Sequence, residues 1–137
     1  MDKKTLRKYA IIDANINRVS EGLRVVEDWA RFYKRSESET EEIRKLRHGL
    51  WDTVKEYYPE VIKGRDTGKD LLSDVRESGR GKTEDIPRAS FNRVKEGLRV
   101  LEEMGKVMSG DAAYQFKQMR FKIYEIEREF YEYERDN

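Results

Sequence analysis

The stretch "DANINRVSEGLRVVED" occupies Asp13 to Asp28, and "RASFNRVKEGLRVLEE" occupies Arg88 to Glu103. The chain writes nearly the same segment twice. At about 100° per residue, Ile16, Val19, Leu23, Val26 and Ala30 fall on one face. Phe91, Val94, Leu98 and Leu101 do so in the second copy. The opposite face carries Asn17, Glu21, Arg24 and Asp28, repeated as Asn92, Glu96, Arg99 and Glu103. Arg18 and Arg93 point to a flank. Each copy therefore predicts an amphipathic helix with an apolar core stripe.

The duplication runs further. At a shift of 73 positions, Ile43 meets Phe116, Leu46 meets Met119, Arg47 meets Arg120, Leu50 meets Ile123 and Tyr57 meets Phe130. The first and third helices match at a shift of 75, so the second turn is shorter by two residues. Each copy is a whole helical hairpin, and two hairpins predict an all-α four-helix bundle with approximate two-fold symmetry. Helices are expected over about 11–35, 38–57, 88–108 and 111–135, with the last stripe running from Phe116 through Phe130 to Tyr133. "SETE" at Ser38 reads as a capping box for the second, and "SGD" at Ser109 separates the third from the fourth. A long central loop of about 58–87 joins the hairpins and has room for a short helix near Asp70 to Glu77. A chain of 137 residues is expected to form a single domain over 1–137.

Composition narrows the function. Charged residues make up 42% of the chain, yet the net charge is +1, so the basic excess that nucleic acids and anionic membranes attract is missing. No cysteine is present, which rules out disulfides and thiolate metal sites and suits a reducing, cytoplasmic compartment. No apolar run reaches the roughly 18 residues of a membrane span, and the first residues do not read as a signal peptide.

Chemistry is sparse outside the repeat. Gly22 and Gly97 sit mid-helix at a cost of about 1 kcal/mol against alanine, so a neighbouring helix or a ligand approaches closely there. The polar stripe suits either a ligand-facing lining or a salt-bridged surface. Ser20 becomes Lys95, which reads as a position free to drift. "SGRGKT" at Ser78 to Thr83 lacks the glycine of a Walker loop, since position 76 is Arg, and is read as a flexible basic turn. His48, the only histidine, cannot form a Glu-x-x-His metal pair because position 45 is Lys, and reads as a bundle-edge residue. In "KGRDTGKD", Asp66 and Asp70 flank a glycine turn beside Arg65 and Lys69, which suits either Mg²⁺ near phosphate or a solvated turn.

"DANINRVSEGLRVVEDWARF", the "RDT" followed by Asp70, and "NRVKEGLRVLEEMGK" resemble a family of thiamine biosynthesis. It is regarded as a non-orthologous hydroxymethylpyrimidine phosphate kinase and also occurs as an N-terminal extension of thiamine-phosphate synthase. The resemblance spans about Ile12 to Lys106. Two departures touch loop geometry: Ala89 is followed by Ser90 rather than Asn, and Asp70 by Leu71 and Leu72 rather than Val-Gly.

The resemblance implies an ATP- and Mg²⁺-dependent phosphomethylpyrimidine kinase. Its acceptor is a phosphate monoester, largely ionised at pH 7 with a second pKa of about 6. Such a reaction needs charge neutralisation and alignment more than a strong base. On that reading Arg18, Arg24, Arg47, Arg93 and Arg99 hold phosphates, with Arg65 and Lys106 alongside. Arg24, Arg99 and Asp66 act at the reacting centre. Asp66 and Asp70 carry Mg²⁺, with Glu21 or Glu96 as further ligands. Asn17 and Asn92 hydrogen-bond the pyrimidine or a phosphate. Expected partners are ATP and hydroxymethylpyrimidine phosphate, with neither nucleic acid nor membrane, and a homo-oligomer is compatible. The alternative is a non-catalytic helical module that docks thiamine enzymes or oligomerises, its polar stripe fixing helix register.

Overall fold

The computed structural model describes residues 1–136, with side chains described through Glu132. The expected apolar position of Tyr133 lies outside the described side chains. Helix α1 spans Lys3–Asp28 and continues into a π-helical segment, Trp29–Lys34. Helix α2 spans Glu37–Val54 and α3 Tyr58–Val61, followed by 3₁₀ turns at Ile62–Gly64 and Thr67–Lys69. Helices α4, Asp85–Met108, and α5, Gly110–Asp136, form the second hairpin. No strand occurs among the described residues.

The four long helices and the central loop follow the periodicity; the ends differ. Helix α1 begins at Lys3 rather than near residue 11 because Asp2 caps it, its Oδ1 accepting from the Thr5 N–H at 2.7 Å. Tyr9 then extends the packed face. Ser36, not Ser38, caps α2, with its Oγ accepting from the Glu39 N–H at 3.4 Å. Helix α4 starts at Asp85, which puts Pro87 in the first turn, where its missing N–H costs nothing. The short helix expected near Asp70 to Glu77 does not form. Leu71, Leu72 and Val75 are all exposed there, and a lone turn with no core to bury is unstable. The ordered turns come earlier, between Tyr58 and Lys69. Ser109 does separate the last two helices, its Oγ accepting from the Ala112 N–H.

One core runs through all four helices, with Leu23, Val26, Ile43, Phe91, Leu98, Leu101, Ile123, Ile126 and Phe130 fully buried. Helix α4 packs mainly on α5 and on α1, while α2 packs on α1 and touches α5. The central α1–α4 crossing obeys the two-fold at the atomic level. A Cβ on Gly22 would lie 2.7 Å from Val94 Cγ2; one on Gly97 would lie 2.6 Å from Val19 Cγ2. Val19 and Val94 are themselves repeat mates. The glycines therefore serve helix–helix approach, in an isologous contact of the kind found in two-fold dimers.

A second symmetric feature ties each hairpin together. Arg47 Nε donates to buried Glu27 Oε1 at 2.7 Å, and Arg120 Nε to buried Glu102 Oε2 at 2.8 Å. Glu102 and its hydrogen bond raise the pKa of Arg120, with Tyr124 adding to the effect. Each pair links the first helix of its hairpin to the second.

Candidate functional site

The symmetry breaks at a cleft between α1 and α2. It encloses about 600 Å³ and is lined by Ile16, Asn17, Ser20, Arg47, His48, Leu50, Trp51, Asp52, Val54 and Tyr58. Its floor is apolar, because Ile16, Leu50 and Val54 belong to the core. Its wall is aromatic: Trp51 and Tyr58 meet edge to face with centroids 5.4 Å apart. Trp51 nevertheless keeps 51% of its surface exposed, which offers a ring face to anything that enters.

Helix geometry explains the polar side. Arg47, Trp51 and Val54 lie three or four residues apart on α2, as do Asn17 and Ser20 on α1, so each set shares a face. Arg47 gives Nε and Nη2 to Glu27, at 2.7 and 3.3 Å, which fixes the guanidinium and leaves Nη1 for the cleft. Asn17 donates its amide to the Asp13 carbonyl at 3.0 Å and to Asp13 Oδ1 at 3.3 Å, which leaves its Oδ1 free to accept.

The connector after α3 braces the cleft. Arg65 grips buried Asp13 with two hydrogen bonds, Nε to Oδ2 at 2.8 Å and Nη2 to Oδ1 at 2.7 Å. Its Nη2 also donates to the Tyr58 hydroxyl at 3.0 Å. The hydrogen bonds to Asp13 and then Tyr58 push the Arg65 pKa well above its ordinary value. The connector can lie this close only because residue 64 is glycine. A Cβ there would meet the α1 backbone at Leu6 and at Ala10, whose nitrogen would be 2.6 Å away.

The predicted residues do not all gather at this cleft. Asn17 and Arg47 line it, and Arg65 reaches its rim through Tyr58. Arg18 turns aside and donates from Nη1 to Asn15 Oδ1 at 2.7 Å. Glu21, Arg24, Asn92, Arg93, Glu96, Arg99 and Lys106 lie on exposed surface. Arg24 there pairs with Glu27, Arg99 with Glu102 and Glu103, and Lys106 with Glu103. Lys106 holds the Glu103 carboxyl below its usual pKa. Asp66 faces Lys69 at 3.8 Å, and Asp70 Oδ1 accepts from the Leu72 N–H at 2.9 Å, both exposed on the loop. Among the described residues, no group of three or more histidines or carboxylates is placed to hold a metal.

The polar stripe is thus mostly solvated surface, while the buried polar set is Asp13, Asn15, Glu27, Glu39 and Glu102. His48, Trp51 and Tyr58 were not among the expected site residues. A signal exists for the first two, in positions where the copies differ: His48 against Phe121 and Trp51 against Tyr124, whereas Tyr58 meets Tyr131 and gives none.

Known proteins give a consistent relationship. The profile of the ThiD2 family matches residues 10–129. A thiamine-phosphate synthase of Nostoc punctiforme is 38% identical over 122 residues, covering 87% of this chain and 34% of the relative. A synthase of another Nostoc is 39% identical over 124 residues, with the same coverage, and one of Prochlorococcus marinus is 35% identical over 126 residues, covering 92% and 36%. The chain spans about a third of the length of the curated relatives it matches. No solved structure matches it. These relatives are named for thiamine-phosphate synthase, a different transferase, and that overturns the expectation of a phosphomethylpyrimidine kinase. Among the described residues, no helix is long and apolar enough to cross a membrane.

Proposed function

Since the chain belongs to the ThiD2 family, we propose that it serves thiamine biosynthesis by binding hydroxymethylpyrimidine phosphate in the α1–α2 cleft. The observation that carries this reading is the Trp51–Tyr58 wall standing beside Arg47 and His48 in one cleft. A phosphorylated aminopyrimidine has a flat ring, an amino donor and a dianionic tail. The ring suits the exposed face of Trp51. The amino group suits the Asn17 oxygen and the Asp52 carboxylate. The phosphate suits the remaining Arg47 donor and the His48 imidazole.

The test is calorimetry and thermal shift with four ligands: the pyrimidine phosphate, its unphosphorylated alcohol, inorganic phosphate and MgATP. The phosphate ester is expected to raise Tm most, and Trp51→Ala to weaken it by about tenfold, the loss of one aromatic contact. If neither pyrimidine compound shifts Tm, the reading is wrong.

Leu71 and Leu72, 95% and 71% exposed on the loop, favour a second reading, a docking module for thiamine enzymes. The same titration separates the two, because a docking module ignores all four small molecules.

A further inference from the structure

The two hairpins share a backbone plan, and the cleft between Arg47, Trp51 and Asn17 lies between the helices of the first. In the first, Ser20 on α1 and Val54 on α2 both line the cavity, Val54 at its apolar floor. Their repeat mates are Lys95 and Glu127. In the second hairpin these two are joined: Lys95 Nζ donates to Glu127 Oε1 at 2.9 Å, with both side chains largely covered. An ion pair thus joins the two helices of the second hairpin at the repeat positions that in the first carry the uncharged Ser20 and Val54.

Three further differences run the same way. Arg120, the mate of Arg47, lies against the rings of Phe121 and Tyr124, 5.1 and 5.8 Å from their centroids. Its Nη1 donates to the Tyr124 hydroxyl at 2.9 Å, so the donor that Arg47 leaves available is spent. Asp13, which anchors the Arg65 brace, is replaced by Arg88, which cannot hold an arginine.

We propose that the duplication has divided its labour. The first hairpin binds one aromatic anion per chain, the second is a closed brace, and Ser20 and Val54 determine the difference. The inference deepens the proposed function and rests on it for the natural ligand, whereas the asymmetry rests on geometry alone.

Two probes separate these layers: hydroxymethylpyrimidine phosphate, and an anilinonaphthalene sulfonate dye as a generic aromatic anion. The expected stoichiometry is one per chain. Transplanting the bridge as Ser20→Lys with Val54→Glu should weaken binding by more than about tenfold, since it fills the cavity. Ser20→Trp is the companion blocker in case a carboxylate at the buried position 54 unfolds the bundle, which circular dichroism will show. Lys95→Ser with Glu127→Val should leave the first site within about twofold. Dye binding at one blockable site without pyrimidine binding refutes the proposed ligand and upholds the asymmetry. Two equivalent sites, binding indifferent to both blockers, or no binding of either probe overturns the asymmetry.

Discussion

The two buried glutamates show how much one carboxylate can hold. Glu27 and Glu102 are 3% and 4% exposed, and each receives the Nε of an arginine from the next helix. Removing one partner strands the other's charge under cover, which costs about 3–5 kcal/mol. Glu102→Ala should therefore lower stability by that order in urea unfolding. Replacing both members with apolar residues should cost much less, because no charge is then left unpaired. Equal losses for the single and double variants would show that the pair adds nothing beyond packing. Gly97 makes a different point. A methyl there gains helix propensity of about 1 kcal/mol but collides with Val19 Cγ2, whose β-branched side chain has little rotamer freedom in a helix. Gly97→Ala should be destabilising by about 1–3 kcal/mol, the usual cost of overpacking. With Val19→Ala it should be less destabilising than the sum of the two single changes. Strict additivity would mean that the helices separate instead of the side chains clashing.

Between elements, two contacts hold the connector on α1. Gly64 lets the connector press on α1, and Arg65 then locks it to Asp13. Gly64→Ala has no flexible side chain to displace, only backbone, so the connector must move away. The expected result is faster tryptic cleavage at Arg65 with the bundle's helicity unchanged; an unaltered digest would sink the idea. On the far side, α2 and α5 bring Glu42 and Glu129 together. Glu129 lies on exposed surface, and partial desolvation, reinforced by Glu42, raises its pKa. A raised carboxyl pKa means the folded state binds that proton more tightly. The group's stabilising contribution is therefore complete below the ordinary value of 4.5 and is lost as pH rises through the folded value. Glu129→Gln should raise Tm modestly at pH 7 and leave it unchanged near pH 4. A gain of equal size at both pH values would exclude ionisation as the cause.

At the scale of the whole molecule, apolar spacing carried the bundle and internal comparison carried its symmetry, since Gly22, Gly97, Glu27 and Glu102 recur in register. The site was less legible. Periodicity assigns residues to faces, but it cannot tell whether an exposed face looks into solvent or into a cleft. Arg24 and Arg99 therefore read like Arg47, although only Arg47 lines the cavity. The substitution of Ser20 by Lys95 reads as drift in sequence because its partner change, Val54 to Glu127, lies a helix away. The same architecture predicts how the molecule comes apart. The hairpins are joined covalently only by the central loop, whose Arg76, Arg80 and Lys82 are exposed. They are joined physically by the glycine-mediated α1–α4 crossing and by α2 against α5. Brief trypsin treatment should nick the loop first, as exposed segments with little packing are cut preferentially. The two fragments should then co-elute in gel filtration, and the nicked protein should bind the same ligand as the intact chain. The reason is that loop closure contributes only slowly with length, whereas the buried crossing contributes directly. Fragments that separate on nicking would show that the loop, and not the repeated helix, holds the halves together.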